Sequence, residues 1–231
     1  MVLETGTGSG NDGGLDSGTN RTSQAYHDLR ALILSGHYEP DSRLTESELT
    51  TQLQVSRGTI RSVLARLAQE GYVTAEANRS ARTRSFSADE AIEILETRAV
   101  LESALAEKAA ERATDTDIAA MTETCKRMWD WQVSDGREEY WNLTRKFHEQ
   151  VKQAARQITL SRFVDSLLYP LVMQQYQDAD REKPPTDSVR EHEAILVAIV
   201  THNPEAAAAA MRHHLSSARR ALLLKFTPLA G

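Results

Sequence analysis

From Ser87 to about Lys225 the chain carries helix starts, helix stops and no strand signal, and this restricts its fold more than any other feature. Ser87-Ala88-Asp89-Glu90 has the form of a capping box, in which a hydroxyl caps the first turn and a carboxylate three residues on returns the bond. It opens a helix predicted to end near Ala113. Thr114 and Asp117 open a second, ending near Asp135-Gly136, and a third spans Glu138 to Ala155. A fourth runs from Thr159 to Tyr176, bent at Pro170, whose ring does not fit a regular helix interior. Beyond a polar loop containing Pro184-Pro185, Ser188 and Glu191 start a fifth helix that continues through Val200. Asn203-Pro204 caps the sixth, with proline at the first helical position, where its missing N–H costs nothing. Six such helices bury their apolar stripes against one another, as a bundle.

The preceding residues are organised differently. Residues 1–20 hold six of the eleven glycines and no Lys or Arg, and read as a disordered tail. A helix is then predicted from Ser23 to Ser35, with Tyr26, Leu29, Leu32 and Ile33 at helical spacing and Gly36 placed to end it. Thr45-Glu46-Ser47-Glu48 caps the next helix, with Leu44 and Leu49 as its staple. Gln54-Val55 links it to Ser56, which caps a third helix running to about Glu70. Two short helices joined tightly, the second bearing arginines, make a helix-turn-helix. After Gly71-Tyr72-Val73 come a short strand, a turn at Asn78-Arg79-Ser80 and a second strand from about Arg82 to Phe86, which together form a hairpin wing. The expected architecture is mainly α: a winged helix-turn-helix over 21–86, then an all-α bundle over 87–228.

Charge is distributed to match. The chain is −6 overall, yet Val55 to Phe86 holds six Arg against Glu70 and Glu76. On the third helix Ile60, Val63, Leu64 and Leu67 form one apolar stripe, and the opposite face holds Arg57, Gly58, Arg61, Ser62 and Ala65. Small residues beside two arginines let a helix enter a major groove while each guanidinium reaches a guanine edge or a phosphate. Arg79, Arg82 and Arg84 on the wing are placed for phosphates or a minor groove. The single cysteine, Cys125, excludes an internal disulfide framework and suits a reducing, cytoplasmic setting. The longest strongly apolar run, Ala194 to Val200, is far too short for a membrane span, and no signal peptide is visible.

Three histidines stand on three separate predicted helices: His148, His192 and His214. Helices facing one bundle interior can bring imidazoles together around a metal, although no HExxH or cysteine pattern sets the geometry by spacing. A metal-dependent enzyme with an open zinc position is one reading of three histidines, but no general base stands at motif spacing and the DNA-binding head would be unexplained. A purely structural dimerisation domain is another.

The run Leu32-Ile33-Leu34-Ser35-Gly36, Pro40, Leu44-Thr45-Glu46-Ser47-Glu48-Leu49, Val55-Ser56-Arg57 through Arg61 and Leu67, then Glu70-Gly71-Tyr72-Val73, resembles the GntR family of regulators. Phe147-His148, Glu191-His192-Glu193-Ala194-Ile195 and Met211-Arg212-His213-His214-Leu215 resemble the ligand segments of its FCD effector domain, the FadR-type partner of that head. The resemblance implies a transcription regulator rather than an enzyme, with Ser56, Arg57, Gly58, Thr59 and Arg61 reading DNA. One helix-turn-helix reads one half-site, so a homodimer on a short palindromic operator is expected; the resemblance implies a small organic acid as effector and a divalent metal, zinc or nickel, on His148, His192 and His214. It also implies a cavity-facing Arg98, for which an Arg98–Glu102 pair at i,i+4 is the alternative, and His213 lies off the ligand line. The chain departs from the family pattern at Asp41 and Gln54, where glycine is common, at Ser47 and Ser80, and at Thr144, where metal-binding members carry an aspartate ligand. Thr144 therefore leaves a coordination position for water or effector.

Overall fold

A computed structural model describes residues 14–76, 80–131, 136–176 and 186–226. The chain divides into two compact units, 1–85 and 86–231.

In the first unit, α1 (Gly14–Leu34) buries Tyr26, Leu29 and Ile33. It begins well before Ser23, so residues 14–20 of the expected tail are helical. Once the buried turns have nucleated a helix, each added residue costs little. Gly36 ends it at φ 81, where the His37 N–H donates to the Leu32 carbonyl and the Gly36 N–H to Ile33. Strand β1 (Arg43–Thr45) precedes α2 (Glu46–Leu53), and Thr45 Oγ1 accepts from the Glu48 N–H to cap α2. Helix α3 (Arg57–Gln69) follows, capped by Ser56, and buries Ile60, Val63, Leu64 and Leu67, the stripe expected from the sequence. The two departures from family glycines, Asp41 and Gln54, both adopt left-handed backbone, with φ 62 and φ 54. That conformation explains why glycine is the easier residue there.

The expected two-stranded wing is a three-stranded antiparallel sheet in the order β1-β3-β2, formed by β2 (Val73–Glu76), β3 (Ser80–Thr83) and β1. Its register pairs Val73 with Thr83, Glu76 with Ser80 and Leu44 with Ala81. β3 therefore starts at Ser80, placed in the turn from sequence, and ends at Thr83. β1 was missed because three residues are too few to show an alternating pattern. Asn78 and Arg79 lie outside the described residues.

The second unit is helical throughout its described residues. Helix α4 (Ala88–Arg112) packs mainly against α10 (Pro204–Phe226) and α6 (Arg137–Ala155), with α5 (Asp115–Asp130) and α9 (Thr186–Val200) completing the core. Leu105, Met121, Met128, Phe147, Ile195, Ile199 and Met211 fill the interior. Ser87, Thr114 and Asn203 cap α4, α5 and α10 as their sequences imply. Helix α5 stops at Asp130, short of Gly136, with Trp131 buried against Tyr140 and its indole N–H donating to the Gly136 carbonyl. The predicted bent helix over 159–176 is two helices, α7 (Ile158–Ser166) and α8 (Tyr169–Tyr176), separated at Leu168 with φ 54. In a continuous helix the Pro170 ring would meet the carbonyl of Ser166, so the chain breaks one turn earlier than the proline.

Candidate functional site

The exposed face of α3 carries Arg57, Gly58, Arg61, Ser62 and Ala65, opposite the buried stripe. Ser56 Oγ accepts the Thr59 N–H at 3.1 Å and lies 3.0 Å from Thr59 Oγ1, which fixes the first turn of the helix. A Cβ on Gly58 would meet only Ser56 Oγ, at 3.7 Å, so the surface there is open. Arg61 Nε donates to Glu46 Oε1 at 2.8 Å. On the sheet, Arg82 Nε donates to Glu76 at 2.5 Å and Arg82 Nη1 to the Asp41 carbonyl at 2.8 Å. Arg82 thus braces the wing internally, a partnership the sequence did not suggest. Arg84, just past the end of β3, is half-buried.

The second site is built by three helices. His148 stands on α6, His192 on α9 and His214 on α10, and one ring nitrogen from each lies within 4.8 Å of the others. Phe147, fully buried beside His148, packs edge-on against His192 with ring centroids 5.1 Å apart and helps orient it. Each imidazole is anchored through Nδ1. His148 Nδ1 meets Glu102 Oε2 at 2.5 Å, His214 Nδ1 meets Glu191 Oε2 at 2.9 Å, and His192 Nδ1 meets the Ser188 carbonyl at 2.6 Å.

These acceptors decide the tautomers. A carboxylate or a carbonyl can only accept, so each Nδ1 carries a proton and Nε2 is the ring atom left for the interior. His148 Nε2 and His214 Nε2 then face each other at 3.2 Å, and His192 Nε2 is buried with no hydrogen-bond partner among the described residues. Burial, followed by the neighbouring His214 and His148, pushes His192 well below its ordinary pKa. Burial lowers His214 too, outweighing its bond to Glu191. Three imidazoles held through Nδ1 and converging through their other ring nitrogens are the kind of donor set a divalent cation requires, and a buried nitrogen without a protein partner fits that role.

Arg98 is not a surface residue. Its side chain and that of Glu102 are each 6% exposed, and Arg98 Nε and Nη2 both reach Glu102 Oε1 at 2.5 Å. The guanidinium also lies 3.5 Å over the Tyr169 ring. Burial alone would raise the Glu102 carboxyl, but Arg98 and His148 outweigh it and hold Glu102 below the usual carboxylate range. The i,i+4 pair therefore exists, buried and joined to the histidines. Thr144, one turn before His148, is half-buried and donates to the Tyr140 carbonyl at 3.2 Å. His213 points out, 68% exposed. The sequence marks Glu102 only as the i,i+4 partner of Arg98 and gives no sign of its bond to His148, nor of Glu191 against His214 or Tyr169 against Arg98, because these partners stand on different helices.

Residues 21–82 match the profile described as "Bacterial regulatory proteins, gntR family", and residues 93–217 match that of the FCD domain. The Nta operon transcriptional regulator of Aminobacter aminovorans is 39% identical over 90 residues, which span 39% of this chain and 43% of that protein. The transcriptional repressor RspR of Escherichia coli K12 is 23% identical over 192 residues, 83% of this chain and 84% of that one. Among solved structures, E. coli McbR/YncC shares the fold with a TM-score of 0.77 at 19% identity, covering 90% of this chain and 99% of that one. No described helix is long and apolar enough to cross a membrane. A DNA-reading head joined to an FCD effector bundle leaves no enzyme reading to pursue: this chain belongs to the GntR family, as a DNA-binding transcriptional regulator of its FadR-like branch.

Proposed function

We propose that this regulator is a homodimeric repressor whose hold on a palindromic operator responds to a small organic acid bound at a metal centre on His148, His192 and His214. The observation that carries the reading is the meeting of one ring nitrogen from each of three histidines, with His192 Nε2 buried and without a hydrogen-bond partner among the described residues. A zinc or nickel ion bound there would supply a Lewis-acidic centre with an open position for a carboxylate. Glu102 and Glu191 hold His148 and His214 in the ligating tautomer, and the Ser188 carbonyl does the same for His192. Arg98, which shares Glu102 with His148, supplies positive charge for the other end of the acid, and an effector must compete with Glu102 for it. Thr144 leaves its corner of the site uncharged. The acid can alter operator affinity only by its differential affinity for the two arrangements of the bundle. The repressor RspR, aligned over most of its length, supports repression as the direction of control. Ser56, Arg57, Gly58, Thr59 and Arg61 are the proposed DNA readers, with Arg79, Arg82 and Arg84 on the wing.

Protein purified without a His tag and without chelators should contain close to one zinc or nickel per chain by elemental analysis. His214→Ala should lose it, and Thr144→Asp should bind it more tightly while weakening the response to the acid. No metal in the wild-type protein, together with a melting temperature unmoved by added zinc or nickel, would refute the centre.

A further inference from the structure

Glu46 is the first residue of α2 and is 8% exposed, an unusual position for a carboxylate beside a DNA-reading surface. Its Oε1 accepts from Arg61 Nε at 2.8 Å, whereas the Arg61 side chain remains 49% exposed. The bond takes Nε of the guanidinium, and the Nη atoms have no partner among the described residues. Bidentate recognition of guanine O6 and N7 needs two donors presented in one plane. A carboxylate gripping the opposite edge fixes that plane before DNA arrives and removes rotamers that binding would otherwise have to freeze. Arg57, on the same face, has no hydrogen-bond or ion-pair partner among the described residues. The two arginines are therefore not equivalent: Arg61 is held by a carboxylate, and Arg57 is exposed and unheld among the described residues.

We propose that Glu46 is a positioning residue for base specificity, orienting Arg61 for a guanine edge. This rests on Arg61 reading a base. A negative charge so close to phosphates weakens attraction to all DNA, so its presence is favoured by selectivity rather than by affinity. The competing account is structural: Glu46 lies in the first turn of α2, where a carboxylate also favours the helix dipole.

The test uses the full-length chain and a randomised duplex library to define the preferred site, followed by titration against every single-base variant of it. Glu46→Ala should reduce the preference for guanine at one position by about tenfold, the scale of one bidentate pair, while affinity for random-sequence DNA stays level or rises. Arg61→Ala should lose preference at that same position, and the double variant should be no worse than Arg61→Ala alone. Glu46→Gln keeps an oxygen that accepts the Nε–H, so it should retain most of the preference even if Glu46→Ala folds poorly. The proposal is overturned if Arg61→Ala alters one position and Glu46→Ala alters none. It is equally overturned if Glu46→Ala weakens all sequences alike, with Glu46→Gln no better, which is the signature of a structural or purely electrostatic role. If Arg61→Ala changes no base preference, the base-reading role of Arg61 fails, and the role of Glu46 with it.

Discussion

Single side chains do separable work in this molecule, and Asp117 shows it most clearly. Its carboxylate accepts from the Thr114 hydroxyl and N–H and from Arg156, while Thr114 Oγ1 caps the Asp117 N–H in return. The Thr114 bonds, then Arg156, lower its pKa from an ordinary 3.8 to about 2. A carboxyl whose folded pKa is depressed contributes stability that is complete above the unfolded value and is lost as pH falls through the folded one. Asp117 should therefore give an acid-sensitive component between about pH 4 and pH 2. Urea titrations across that range should show a flatter pH dependence in Asp117→Asn. Thr114→Ala should cost about 1 kcal/mol at neutral pH through the lost cap. Both residues were readable as a helix start from sequence, because a capping box involves only groups three positions apart. Arg156, 39 residues away from Asp117, was not.

Among the elements, α8 has the least expected role. The guanidinium of Arg98 stacks on Tyr169 at its first position. At its far end Gln175 closes a two-bond clasp on the Phe86 backbone, accepting its N–H at 2.8 Å and donating to its carbonyl at 2.7 Å, and the Tyr176 hydroxyl donates to the same carbonyl at 2.5 Å. Phe86 is the first residue of the helical unit. One short helix thus touches both the neighbourhood of the histidine centre and the point where the chain enters that unit. Gln175→Ala should speed hydrogen exchange at the Phe86 amide and lower stability by about 1–2 kcal/mol for two lost bonds. In the same variant the proposed organic-acid effector should bind with little change but shift operator affinity less. Unaltered exchange at Phe86, or an undiminished operator response, would show that the α8 clasp plays no part in the response.

For the molecule as a whole, the two units have separate cores: Leu29, Ile33, Leu44, Leu49, Ile60 and Leu67 in one, and the bundle interior around Phe147 and Met211 in the other. Separate cores predict that a ligand bound in one unit stabilises that unit first. Zinc or nickel at 100 times its dissociation constant should add about 2.7 kcal/mol to the bundle. Calorimetry should show the transition of residues 86–231 moving upward while that of residues 1–85 stays in place. Equal movement of both, or a single transition, would mean that the units unfold together.

What the sequence determined on its own is local. Ser56, Ser87, Thr114 and Asn203-Pro204 mark helix starts through bonds spanning three or four residues, and the stripe Ile60, Val63, Leu64 and Leu67 follows from the helical period. Those signals were enough to anticipate a winged helix-turn-helix and a helical bundle. The tertiary structure decided which side chains meet: Leu44 of β1 opposite Ala81, Glu102 against His148, Glu191 against His214, and Arg61 held by Glu46. Each of these pairs joins different elements, so its geometry depends on how helices and strands pack, which no spacing along the chain records. The histidines were visible as residues; their convergence, and their anchoring through Nδ1, came only from packing.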